Sequence, residues 1–390
     1  MSVAIADIHA TQDSVWVDAR SQLMELYATQ RAISNQSLQY AGWVRWERKS
    51  RRWSFMAEMP IPHRTGILVH PSSRWLGDTL YVSLWDSLRR WSADGTELPA
   101  IRVPWQAPPV LFALHDRLYG MSQDAVYEIP TDGGDVRILA STRRRPATTP
   151  LDSIEKFEKP FLMEGPGESI LALAGDRLHQ WNGESWSTAF PHPVVSANAN
   201  GTMAAVQGLL ETPMAAVWML PLDRLQPTLA FAWNRNNYGP GLTPSGLNIS
   251  PPTFEPGKGP AWNLPHHLPI SRSTYLPLGK DLLVYIDELP DITAPPPQAA
   301  THHALVSFLQ PGSPTPRNFR LLYDASKGPL PYPGPNLNTS SLEAKPRLRL
   351  RVMGDELLVF HPWHPGFWRI PLSEFQSGST TKSSRTKAKP

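Results

Sequence analysis

Residues Val110 to Ala140, VLFALHDRLYGMSQDAVYEIPTDGGDVRILA, break into four short apolar runs: Val110–Leu114, Leu118–Met121, Ala125–Ile129 and Val136–Ala140. Polar turns separate them: His115-Asp116-Arg117, Ser122-Gln123-Asp124 and Thr131 to Asp135. Runs of this length, rich in Val, Ile, Leu and Tyr and bounded by Asp, Gly and Ser, predict antiparallel strands joined by tight turns. Four such strands in about thirty residues form a meander too small to bury its own faces. The unit therefore needs copies of itself to stack against.

The turn at Asp116 has relatives at Asp13, Asp78, Asp176, Asp281 and Asp355, each a polar residue or glycine, Asp, any residue, then two mostly apolar positions. Asp and Gly suit two-residue hairpins, where positive φ and local side-chain hydrogen bonds are needed. The spacing is irregular. In the longest gap, Met203–Leu210 followed by Met214–Pro221 supplies a degenerate copy. That makes seven units. Such a number of four-stranded units closes into an all-β, seven-bladed β-propeller, with six or eight blades as the neighbouring counts, and leaves no long exposed edge. Composition agrees: 42 prolines oppose long helices, and 15 tryptophans suit sheets packed face to face.

The copy GDRLHQWNGESW, Gly175–Trp186, resembles the degenerate kelch-like and WD-like repeats of bacterial β-propeller proteins, in which an aromatic strand turns at Asn/Asp-Gly. The resemblance covers a few such units and implies a blade fold, not an activity. The chain lacks the paired glycines that end a kelch second strand. It also lacks the Gly-His start and regular Trp-Asp end of WD repeats, Trp85-Asp86 being a single match.

One propeller domain is expected over residues 1–376, with insertions at 141–168, 234–273, 287–303 and 324–345 and a disordered basic tail at 377–390. If every Asp turn joins a blade's first strand to its second, these insertions, and the loop at 361–366, share the opposite face. Long loops on a rigid scaffold are the usual place for binding. Val3–His9 is needed as the first inner strand, and only three strands precede the tail. The last blade is thus expected to be short, unless a strand precedes Met1.

With no cysteine, disulfides, thiolate metal sites and a cysteine nucleophile are excluded. The net charge is +3, but the tail holds Lys382, Arg385, Lys387 and Lys389 with no acid. Removing those four charges leaves the body at −1, so a nucleic-acid partner is not expected from overall charge. No apolar window reaches membrane-spanning length, and no secretory signal opens the chain. As written the chain reads as cytoplasmic, or as periplasmic or secreted if its start is truncated.

Several residues could carry function. Arg143, Arg144 and Arg145 could grip a carboxylate or phosphate, or pin their own loop to Asp152 and Glu155. Arg347, Arg349 and Arg351 alternate with leucines and so share one strand face, which lines the central channel and could bind an anion there if the strand is innermost, and merely faces water if it is an edge strand. Trp363 lies in the loop at 361–366. His302, His303, His361 and His364, and more weakly His266 and His267, could supply metal ligands. Trp43, Trp46 and Trp53, with Arg45, Arg48, Arg51 and Arg52, could form a stacking surface for bases or sugars, but alternation gives the simpler expectation of a half-buried hairpin with Trp inward and Arg outward. There is no Gly-x-Ser-x-Gly elbow, no phosphate-cradling loop and no His-Glu-x-x-His. No cofactor is implied.

The expected function is a non-enzymatic binding or scaffold propeller that recognises a protein or small ligand through its looped face. The alternative is a hydrolase or lyase with a polar or metal-assisted site at the mouth of the channel. What separates them is whether ionisable groups from three or more blades converge around that channel.

Overall fold

The computed structural model describes residues 3–21, 41–58, 72–105, 107–144, 146–155, 157, 160–211, 214–234, 274–288, 301–309, 317–324, 349–360 and 367–376. They form seven antiparallel sheets, six of four strands and a last one of three. Blade 1 comprises β1 (Val3–Ala10), β2 (Ser14–Ser21), β3 (Ala41–Glu47) and β4 (Arg52–Glu58); blade 2 comprises β5 (Ser73–Leu76), β6 (Thr79–Ser83), β7 (Ser87–Ser92) and β8 (Glu97–Arg102). Blade 3 holds β9 (Val110–Leu114), β10 (Arg117–Met121), β11 (Ala125–Ile129) and β12 (Arg137–Ser141). Blade 4 holds β13 (Leu162–Glu164), β14 (Ile170–Ala174), β15 (Arg177–Trp181) and β16 (Trp186–Thr188). Blade 5 runs β17 (Val194–Asn200), β18 (Met203–Glu211), β19 (Met214–Pro221) and β20 (Thr228–Asn234). Blade 6 runs β21 (Thr274–Leu278), β22 (Asp281–Glu288), β23 (Thr301–Leu309) and β24 (Arg317–Asp324). The three-stranded sheet is β25 (Arg349–Met353), β26 (Glu356–Phe360) and β27 (Phe367–Pro371), followed by the one-turn helix α1 (Ser373–Gln376).

Within each sheet the strands pair in chain order, so every blade is a simple meander. First strands approach one another across blades: β5 lies against β9, β9 against β13, and β17 against β21. These strands therefore surround the axis. Their inner edges have no ladder partner, so backbone N–H and C=O groups face the channel.

Apolar side chains fill the wedge between one blade and the next. Trp16 and Trp43 meet Leu80, Val82 and Trp91 between blades 1 and 2, and Tyr81, Leu88 and Ile101 meet Leu118 and Tyr127 between blades 2 and 3. Equivalent clusters join blades 3 and 4, blades 4 and 5, and blade 6 with the last sheet. Ile8 against Leu358 and Phe360 closes the ring. Polar side chains stitch the same joints: Asn200 Nδ2 donates to the Pro277 carbonyl at 3.0 Å, and Glu164 Oε1 accepts from the His115 N–H at 3.0 Å.

The degenerate unit is a full member of the ring, as β18 and β19. One expectation is corrected. Five of the six Asp turns join first to second strands, but Gly175-Asp176 joins β14 to β15, the second and third strands of its blade. The first strand there is β13, three residues, Leu-Met-Glu, that carry no alternation to read. The model supports a β-propeller without confirming a kelch or WD family.

Candidate functional site

The strongest convergence of ionisable groups among the described residues lies on first strands. Asp7 sits in the middle of β1, Arg74 in β5 and Arg351 in the middle of β25. Arg351 Nη1 donates to Asp7 Oδ1, and to the Ile8 carbonyl at 2.7 Å. Arg74 keeps solvent access, yet protein surrounds it closely enough that desolvation, the leading cause, lowers its pKa. Asp7 opposes that shift and Arg351 adds to it. Water access together with close enclosure describes a side chain inside a wet channel. Asp18, paired across from Asp7 on β2, is buried just behind.

His9 completes the group. Its ring stacks on Trp75 at 4.1 Å between centroids and 5° between planes. Desolvation, reinforced by Arg351 and opposed by Asp7 and Asp78, lowers its pKa below the ordinary value of 6.5. His9 is therefore neutral at pH 7.

The loop arginines behave differently. Arg143 Nη2 donates to Asp124 at 2.7 Å, across the end of its own blade. Arg144 reaches the Thr148 hydroxyl and the Ile138 carbonyl, both at 3.3 Å. Arg145 lies outside the described residues. The loop is tied down by Asp152 instead of by a pairing of Asp152 with these arginines. Asp152 accepts from the Ser141 N–H at 2.6 Å, the Thr148 N–H at 3.0 Å, the Thr148 hydroxyl at 2.7 Å and the Thr149 N–H at 2.9 Å. Asp152 also belongs to the capping box of a 3-10 helix at Pro150–Ser153. Burial pushes the carboxyl pKa up, but the hydrogen bonds outweigh it and the net shift is downward.

That arrangement yields a prediction. A depressed folded pKa contributes stability above the unfolded value, about 3.9, which is lost as pH falls through the folded value. Asp152→Asn should flatten this acid limb. It should also cost about 1–3 kcal/mol at pH 7, because one amide N–H₂ must face donors that need an acceptor. Urea unfolding at pH 7 and pH 3 checks both; equal pH dependence in wild type and variant would refute the assignment.

Arg349 enters β25 opposite Phe360. Its neighbour two residues on, Arg351, has the described channel contacts. His302 and His303 are consecutive residues of β23, opposite Tyr323 and Leu322. His361, Trp363 and His364 lie outside the described residues, as do His266 and His267. Among the described residues no group of three or more His, Asp or Glu could hold a metal ion. A cavity of about 200 Å³ near the joint of blades 5, 6 and the last sheet is walled chiefly by Leu278, Phe308, Val352, Leu372 and Phe375. It gathers far fewer charges than the channel group.

Asp7, Arg74 and His9 were missed by sequence reading. Asp7 and Arg351 are 344 residues apart, and only ring closure joins them. The available signal was a lone carboxylate in the otherwise apolar run around VAIADIHA.

No protein-family model matches the chain, and no curated protein matches it. Among solved structures, one from a study of two prolyl endopeptidases and their inter-domain dynamics is similar over 92% of this chain, at TM-score 0.43 and 10% identity. A puromycin hydrolase S511A mutant complexed with PGG is similar over 95%, at TM-score 0.45 and 12% identity. The chain spans about half of each, 46% and 52% respectively. No described helix is long and apolar enough to cross a membrane.

Proposed function

We propose that the propeller is a ligand-binding module whose central channel, where blades 1 and 2 meet the last sheet, receives the anionic group of a protein or small molecule. The observation that supports this is the meeting of Arg74 and Arg351 with Asp7, the carboxylate that Arg351 holds, on three first strands. A carboxylate or phosphate entering there would displace Asp7 from Arg351 and take charge-assisted hydrogen bonds from both guanidiniums. Calorimetric titration with inorganic phosphate and with a short peptide bearing a free C-terminal carboxylate tests the reading. Arg74→Ala should weaken binding about tenfold or more, and Asp7→Asn should strengthen it. Equal affinity in wild type and both variants would overturn the proposal.

A second reading, a hydrolase or lyase with its polar site in the channel, is supported by the same convergence from three sheets. In this reading Asp7 is the proton acceptor and the two arginines hold developing negative charge. Asp7→Asn then distinguishes the readings. It abolishes turnover of fluorogenic peptide and ester substrates if the channel is catalytic, and raises anion affinity with no turnover in either protein if it only binds.

A further inference from the structure

Trp43 and Trp46 are three positions apart in the unbroken register of β3, so they lie on opposite faces. Trp43 is buried against blade 2, whereas Trp53 on the outermost strand is 58% exposed. Trp46, opposite it in the ladder, supports its ring at 5.2 Å between centroids and 51° between planes. A large aromatic held in place with its outer surface in water is unusual for a residue that could have packed.

The turn beside it is Arg48-Lys49-Ser50-Arg51, followed by Arg52, all exposed. None of the four cations forms an ion pair among the described residues. Glu47, the nearest acid, is hydrogen-bonded by Ser50. Arg51 has φ +54°, in the left-handed region. The corresponding third-to-fourth-strand turns of the next three blades place Gly95, Gly133 and Gly183 at positive φ. Glycine takes that conformation without steric cost and arginine does not. This turn therefore carries a cation where its neighbours use the residue that fits best.

We propose that this hairpin tip is a docking surface for single-stranded nucleic acid, with bases stacking on Trp53 and phosphates meeting the turn cations Arg48, Lys49 and Arg51; Arg52, next to Trp53 in the strand, faces the other side. Flat aromatic surface beside unpaired cations is the chemistry that binds single strands without reading their sequence. An anionic membrane would attract the same charges, but among the described residues of this hairpin Trp53 is the one exposed large apolar side chain, against the wide apolar face that an interfacial anchor buries. The body's near-neutral overall charge had pointed away from a polyanion; the local charge of this hairpin, four cations against Glu47, points toward one.

Fluorescence anisotropy of the full chain with a labelled oligothymidylate of about twelve nucleotides tests this. Binding is expected at low salt and should weaken about 20-fold between 50 and 200 mM salt if three phosphates are contacted. Trp53→Ala should weaken it about tenfold or more, with an unchanged thermal melt because the ring is exposed. Arg51→Gly, which suits the turn, should reduce the logarithmic salt slope by about 0.7. No binding at low salt would overturn the proposal, as would unchanged affinity in Trp53→Ala or an unchanged slope in Arg51→Gly. Binding to phosphatidylserine vesicles with none to the oligonucleotide would assign the surface to membranes and overturn it equally.

Discussion

Trp16→Ala should cost about 3–5 kcal/mol of stability, the range for deleting a buried aromatic whose site cannot collapse. Trp16 is fully buried between blades 1 and 2, and its ring meets Trp75 edge-on at 5.0 Å. Its Nε1 donates to the Ala93 carbonyl at 3.2 Å, so truncation also leaves that acceptor unpaired. The cavity cannot fill readily, because Trp43 is itself fixed by a 3.0 Å hydrogen bond from its Nε1 to Ser73 Oγ. Urea unfolding should show a lower midpoint with the slope preserved. Trp53→Ala is the internal control and should change stability by no more than about 0.5 kcal/mol, as surface substitutions do. A Trp16→Ala loss below about 1 kcal/mol would mean that the inter-blade wedge does not hold the ring together.

Gly208→Ala should be the most damaging substitution per atom added, costing about 3 kcal/mol, the upper end for overpacking. A Cβ at Gly208 would overlap the Pro193 carbonyl oxygen, and would also stand 3.3 Å from Trp218 Cζ3. Neither side can yield. Pro193 O accepts the Leu209 N–H at 2.9 Å, and the next residue, Val194, donates to the Asp176 carbonyl at 2.7 Å. The close approach arises where the pairing of β17 with β18 shifts register between Val194 and Ser196. Gly77→Ala is the contrast: nothing lies within 4 Å, and only its φ of +55° is unfavourable, a penalty of about 1–2 kcal/mol. If the two alanine variants unfold at the same urea concentration, the close approach at Gly208 is not the constraint it is taken to be.

Much of the ring was legible because each strand carries its own pattern. Val110–Leu114 and Ala125–Ile129 are strands with the bounds that their apolar runs suggest, and Leu118–Met121 needed only Arg117 added. The three-stranded end of the chain was legible for the same reason. β13 was not, since three residues cannot establish a period. Its absence from the reading moved the Asp176 turn to the wrong pair of strands. Alternation in Arg347–Val352 put the three arginines on one face, lining the channel or facing water, and Arg351 contacts the first blade. It could not supply Asp7 or Arg74, because the contacts between them depend on how the first and last sheets meet. The hairpin failed for a different reason: Trp43 and Trp46 are three positions apart, so alternation itself sends them to opposite faces of β3 and cannot turn all three rings inward.

Ring closure has a mechanical consequence. Among the described residues β1 pairs only with β2, and the last sheet exchanges no strand with blade 1. Among the described residues the first and last sheets are held together by the Arg351–Asp7 pair and by Ile8 wedged against Leu358 and Phe360. A joint held by side chains should be among the first places to part under tension or in hydrogen exchange. That joint runs through the channel charges themselves. Whatever occupies them would act as a rivet across it, so the spring of the whole ring and the filling of its centre are one variable.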